Sequence, residues 1–298
     1  MKIIHNTAVV IVFCIIGVPI SVSSMENTDK NANARSISAG IGFPEYSQAF
    51  QAQIGLGIGA FPEYEGSDKY AATALPLFNI REQGAYFIKG ASINANEGLA
   101  SAGITLLHLS YSEKLSRRFN IVMGPLIRAY GGRKESDSDI DILDGLGDID
   151  RSVGIGAFIE YSAGTWLANL SVSPQDAGND NDGTLATFDI VYTTYIKDVL
   201  RVSTALSISW ADDDYMQAYY GVTDSQSVQS GFLRFDSKSG FKDIGIQLKA
   251  AYEVSPRWAI EGQLGYWRYL NDAADSQIVK DEGSVNQIRG LVGLSYQF

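Results

Sequence analysis

Cysteine is nearly absent: the 298 residues contain one, Cys14. It lies in an apolar leader expected to be removed, so a disulfide framework is excluded. Histidine is almost as scarce, with only His5 and His108. Zinc spacing, a Walker loop and a Rossmann fingerprint are all missing. Basic charge is in deficit, since 23 Lys and Arg face 34 Asp and Glu for a net charge of −11. Phosphate binding needs a basic face, so nucleic acid is excluded as a partner. Beyond the N-terminus, no apolar run approaches the roughly 20 residues of a membrane helix. Proline is rare at 7 residues, whereas glycine reaches 30 and tyrosine 16. That composition suits long strands with aromatic borders.

The N-terminus predicts a secretory signal. A minimal basic start, Met1-Lys2, precedes the uncharged stretch from Ala8 to Ile20, and small residues lead to a cut near Ser24. About thirteen apolar residues are too few to span a bilayer as a helix. The expected organisation is a signal peptide at 1–24, a polar periplasmic segment at 25–48 and one large domain at 49–298.

Within that domain, apolar and polar residues alternate at period two. Twelve segments carry the pattern: about 49–61, 70–82, 84–95, 98–112, 118–132, 149–162, 165–174, 184–197, 199–211, 240–254, 257–271 and 285–298. In the ninth, Val202, Thr204, Leu206, Ile208 and Trp210 share one face, and Arg201, Ser203, Ser207 and Ser209 the other. In the eleventh, Trp258, Ile260, Leu264 and Tyr266 oppose Glu261 and Gln263. The last ends in Tyr296-Gln297-Phe298. Soluble sandwiches also alternate, but their strands usually stop near five or six residues. Ten or more is the length a tilted strand needs to cross hydrocarbon.

Connection lengths give an independent sign. Counted from the first strand, the even ones are short, such as Ala163-Gly164, Lys197-Asp198 and Ser255-Pro256. The odd ones are mostly long, at 62–69, 133–148, 175–183, 212–239 and 272–284, with Asn96-Glu97 as the exception. Short periplasmic turns and longer extracellular loops are the habit of outer-membrane barrels. The predicted fold is therefore all-β: a transmembrane antiparallel up-and-down β-barrel of about 12 strands. Its lipid surface implies outer-membrane lipid and lipopolysaccharide as partners.

Acidic residues gather in the long connections, where they solvate the exposed end. Asp137-Ser138-Asp139-Ile140-Asp141 opens like a calcium loop. However, Ile142 stands where an EF-hand needs Gly, and Asp148 where it needs Glu. No metal ligand is assigned. His108 and Ser110 form a His-x-Ser pair, yet Leu107, Leu109 and Tyr111 take the apolar face, which turns the pair into the lumen. A lipid-splitting pair must face the bilayer. No catalytic residue is assigned, and no cofactor is implied. Glu160, Asp189, Lys249 and Glu261 are placed on the inner face, as the polar lining of a hydrated lumen. Whether that lumen conducts is left open, because loop 212–239 is long enough to fold inward.

Gly57-Ile58-Gly59-Ala60-Phe61-Pro62-Glu63-Tyr64-Glu65-Gly66-Ser67-Asp68, followed by Leu75-Pro76, resembles the first hairpin of the MipA/OmpV family. Further matching pieces come in order: Asp214-Tyr215, Tyr219-Tyr220-Gly221-Val222, Gly240-Phe241-Lys242-Asp243, Ala274-Asp275-Ser276, Asn286-Gln287 and the closing Tyr296-x-Phe298. Gln277 departs from the pattern, which has Pro after the Asp-Ser pair. The resemblance covers about 49–298. It implies an outer-membrane protein of Gram-negative bacteria that is not an enzyme. It also implies a scaffold joining a murein lytic transglycosylase to a peptidoglycan synthase. A small pore for solutes is the competing expectation.

Overall fold

The computed structural model describes residues 50–82, 84–90, 92–112, 118–137, 142–175 and 183–298. The expected signal at 1–24, the segment 25–48 and the middle of the Asp-rich loop (Asp139 and Asp141) lie outside these residues. Among the described residues, thirteen strand segments form one sheet in which every pairing is antiparallel and β1 pairs with the final strand.

The strands are β1 (Phe50–Pro62), β2 (Tyr70–Glu82), β3 (Tyr86–Lys89), β4 (Ala100–Ile104), β5 (Leu107–Ser112), β6 (Arg118–Tyr130) and β7 (Ser152–Ala163). They continue as β8 (Trp166–Gln175), β9 (Gly183–Ile196), β10 (Leu200–Ala211), β11 (Gly240–Ser255), β12 (Trp258–Tyr269) and β13 (Asn286–Gln297). β4 and β5 both pair with β6, so they are two halves of one stave. Gly103 sits opposite Leu126 and Leu107 opposite Met123, which leaves one extra residue on the β4–β5 side. That is a bulge. With the halves counted together, the barrel has the twelve staves the sequence predicts, and the β4–β6 pairing closes it.

The third stave departs from its predicted span. The alternation suggests 84–95, but β3 holds only Tyr86–Lys89. The chain then leaves the wall and enters the lumen, with a 3-10 turn at Ala95–Glu97. The connection between the third and fourth staves is thus longer than the two residues expected from sequence.

Facing follows the predicted alternation. Leu264 is 57% exposed and its neighbour Gln263 only 6%. On β10, Leu206 and Trp210 are exposed while Arg201, Ser203, Ser207 and Ser209 are buried. An outward surface of Leu, Ile and Val is the transfer-favoured face toward lipid. Aromatic pairs border it at the turn end: Trp166 with Tyr192, Phe119 with Tyr161, and Trp258 with Tyr296, at ring separations of 4.9, 5.9 and 5.1 Å. The turn from β9 to β10 spans residues 197–199, and its Lys197 and Asp198 both lie at positive φ.

The opposite end carries the long loops and, among the described residues, four short helices. These are α1 (Asp213–Tyr220), α2 (Asp224–Ser230), α3 (Asn271–Asp275) and α4 (Gln277–Lys280). Asp212 caps α1 by accepting from the Tyr215 amide at 3.0 Å. Thr223 and Gln226 form a capping box on α2.

Candidate functional site: the occluded lumen

Two layers fill the barrel. The inner layer is the segment that β3 gives up. Ile93 is fully buried against Leu77, Trp267 and Leu291, with Phe61 and Leu75 beside them. The Trp267 ring needs room, and Gly245 and Gly265 provide it: a Cβ on either would meet the indole at 2.2 or 2.4 Å. Arg289 stacks over the same ring, 5.1 Å from its centroid, and its Nη1 donates to the Ile93 carbonyl at 3.4 Å.

Polar groups hold the rest of the segment. Lys249 Nζ donates to Ser92 Oγ at 3.3 Å and Asn94 Nδ2 to Ser207 Oγ at 3.4 Å. Asn96 Nδ2 donates to both carboxylate oxygens of Asp243, at 3.0 and 3.1 Å. Arg128 donates to the Asn96 carbonyl at 2.9 Å and to Ser171 Oγ at 3.0 Å. Residues 92–97 therefore reach β6, β10, β11, β12 and β13, and so cross the lumen. Gly98 returns the chain to the wall at φ 72, where a Cβ would meet the Ala129 carbonyl at 2.5 Å.

Beside this segment lies a polar chamber lined by Lys89, Glu97, Glu160, Asp189, Gln247 and Lys249. Arg81 pairs with Glu160 at 2.6 Å, and Ser207 donates to Asp189 at 2.6 Å. Glu261 accepts from Gln53, whose Nε2 also reaches Ser295 Oγ at 2.5 Å. All four predicted inner-face groups are therefore buried in the lumen: Glu160, Asp189, Lys249 and Glu261.

The outer layer caps the loop end. Tyr215, Met216, Tyr219 and Tyr220 of α1 pack with Tyr130, Leu185, Tyr269 and Val279. Loop 212–239 thus folds over the mouth, while the deeper block comes from 92–97. Strands of backbone contact stitch the other loops on: Ser67 bridges Gly283, and Arg133 bridges Ile149. Arg133 Nη1 donates to the Tyr219 carbonyl at 3.0 Å. Gln277 occupies the first position of α4, where Pro fits well. Here its side chain accepts from the Leu233 amide at 2.7 Å and ties two loops together.

One ion pair sits where cap meets plug. Lys242 is 1% exposed, and its Nζ lies 3.1 Å from Glu65. The Tyr220 hydroxyl donates to the same carboxylate at 2.6 Å. Burial works to raise the Glu65 carboxyl. Lys242, the Tyr220 hydroxyl and Arg289 more than offset it and hold the group below the usual carboxylate range. Burial, with the charge of Glu65, pushes the hydroxyls of Tyr215 and Tyr220 well up, so they remain donors. Burial and then Asp68 raise Tyr64 to about 12.

The remaining candidates resolve simply. His108 lies on the lumenal side at the turn end, with Nε2 3.4 Å from Asn120 Oδ1. Among the described residues, no three His, Cys, Asp or Glu converge as a metal site. In the Asp-rich loop, Asp137 accepts from the Lys134 amide at 2.7 Å and Asp148 from the Glu135 amide at 2.9 Å. Those carboxylates serve their own backbone. The plug had one sequence signal, the Gly90 and Gly98 pair that brackets it. Their symmetry matters only once a chain is known to turn inward there.

The family model described as MltA-interacting protein MipA matches residues 54–298. The chain belongs to the MipA family. Proteins named MltA-interacting protein from Escherichia coli K12 and Shigella flexneri are each 24% identical over 106 residues. The match takes in 35% of this chain and 40% of either relative. Among solved structures, the NanC porin aligns over 83% of this chain and 100% of its own, at 8% identity and a TM-score of 0.42. The COG4313 outer-membrane channel of Pseudomonas putida F1 aligns over 91% and 100%, at 11% identity and a TM-score of 0.37. Family, closed barrel and apolar outer face together place this MipA-family barrel in the bacterial outer membrane.

Proposed function

We infer that this barrel is a non-enzymatic scaffold of the cell envelope. It recruits a murein lytic transglycosylase to the outer membrane and links it to a peptidoglycan synthase. The carrying observation is the crossing of the lumen by 92–97 beneath a packed cap. A barrel filled in two layers is built for rigidity more than for flow. Membership of a family whose members are named for interaction with MltA supports the transglycosylase as partner. The non-enzymatic reading is supported by His108, whose hydrogen-bond partner is an amide and not a carboxylate or nucleophile. The partner contacts fall on the periplasmic turns or on 25–48.

The test pairs two measurements on the full-length protein. Immobilised barrel is challenged with purified transglycosylase and with solubilised envelopes, and the same preparation is placed in planar bilayers. Capture of the transglycosylase without steady conductance is expected. Steady ohmic conductance without capture would replace the scaffold by a pore.

A further inference from the structure

Among the described residues, the wall is incomplete beside β2 on the loop side. β2 is 13 residues long, but β3 pairs with only Asn79 to Glu82 of it. The Gly90 amide continues that register by one step, donating to the Phe78 carbonyl at 2.8 Å. The chain then turns inward. β4 meets β3 through Ser101 to Ile104, and its loop-side end goes to β6. Among the described residues, no backbone group pairs with the free side of β2 from Tyr70 to Leu77.

In an antiparallel sheet, successive residues send their backbone groups to opposite sides. Phe78 sends its carbonyl toward β3, so Ala72, Ala74 and Pro76 point the same way, into the gap. Pro76 has no N–H to strand there, and proline within a sheet belongs at an edge. Ala72, Ala74 and Leu99 on the opposite bank are exposed. Gly90 passes so close to the floor that a Cβ would meet the Phe78 ring at 2.8 Å. Behind the floor stand Leu77 and Ile93 of the apolar plug cluster. The notch opens from the lipid-facing surface and is continuous with it.

Open sheet edges are not tolerated bare in hydrocarbon. We propose that the notch between β2 and β4 is a binding site for one acylated lipid of the outer leaflet. Its chain lies over Pro76 and Phe78, and its ester or amide oxygens accept from the amides of Ala72 and Ala74. A docking β-strand fits less well, because Pro76 offers no donor where a ladder needs one.

The test is native mass spectrometry of the full-length barrel released from outer membranes in mild detergent. One retained lipid per barrel is expected. Ala74→Trp, which fills the notch, should lower retention about tenfold or more, as should Leu99→Asp on the other bank. Leu264→Trp, on the open lipid face, should leave retention unchanged. Heat-modifiable migration certifies folding of each variant, and having two banks keeps the test valid if one variant fails. Equal retention in the wild type and a folded notch variant would overturn the site. So would co-purification of a polypeptide that the same substitutions release.

Discussion

Lys242 Nζ lies 3.1 Å from Glu65 and 3.4 Å from Asp243, and Asp243 in turn accepts from Asn96. One ammonium therefore joins the first loop, the eleventh strand segment and the lumenal plug. A buried pair loses most when one partner is removed, because the other is left charged and unpaired. Lys242→Met leaves two carboxylates facing each other and should cost about 3–5 kcal/mol. Glu65→Gln with Lys242→Met should recover part of that cost. Urea unfolding in lipid vesicles measures both, and simple additivity of the two substitutions would dissolve the coupling.

The same pair sets a pH response. Glu65 is held below the ordinary carboxylate value of 4.5 in the folded state. A depressed carboxyl contributes stability that is present above its unfolded value and lost as pH falls through the folded one. The cap should thus hold through neutral and mildly acidic pH and loosen only below about 4.5. Hydrogen exchange at the Ser284 amide, which donates to the Gly66 carbonyl at 2.7 Å, reports on it. Glu65→Gln should flatten that pH dependence. Loosening near pH 6 would point to another group.

The plug makes its own prediction. Ile93 is its one fully buried apolar anchor, and Asn96 its link to Asp243. Ile93→Asp with Asn96→Ala buries a charge among Leu77, Trp267 and Leu291 and removes the link. The segment should leave its seat, and conductance in planar bilayers should rise above the wild-type level. An unchanged trace from the folded variant would mean that the cap alone closes the barrel.

Much of the barrel is legible in sequence because period-two alternation over ten or more residues has few other solutions. Leu264 and Gln263 separate cleanly for that reason, and so do the Arg201 and Val202 faces. The third stave is not legible. Its continuation into Ser92, Ile93 and Asn94 still alternates acceptably, and only contact with Trp267 and Ser207 diverts it. In sequence, 212–239 is legible only as a long loop able to fold inward; its helix α1, capped by Asp212 and carrying the i, i+4 pair Tyr215 and Tyr219, is seen in the structure. The burial of that helix is not legible either, since Tyr130, Leu185 and Tyr269 come from three distant strands. The lumenal placement of Glu160 and Asp189 follows from parity, but their partners Arg81 and Ser207 do not.

Topology can be tested without removing any native thiol from the barrel, since Cys14 lies in the expected signal. Ser225 is exposed on α2 at the loop end, and Pro256 is exposed in a tight turn at the other. Ser225→Cys should react with an impermeant maleimide on intact cells. Pro256→Cys should react only after the outer membrane is opened. The reverse pattern would invert the barrel.

The facing of β12 can be tested at two adjacent residues. Leu264 sits opposite Leu248 and Gly290, outward and 57% exposed, while Gln263 beside it is 6% exposed and lumenal. A charge on the lipid face near the midplane costs roughly 2–4 kcal/mol, whereas lumenal positions tolerate polarity. Leu264→Arg should therefore destabilise the barrel strongly. Gln263→Arg should be milder, because Glu261 lies two residues away on the same inner face. The two substitutions share a strand, a depth and nearly the same backbone propensity, so their difference isolates facing. Unfolding in urea from lipid vesicles gives both values. A larger loss from Gln263→Arg would mean a register slip of one residue, which reverses every side chain on the strand.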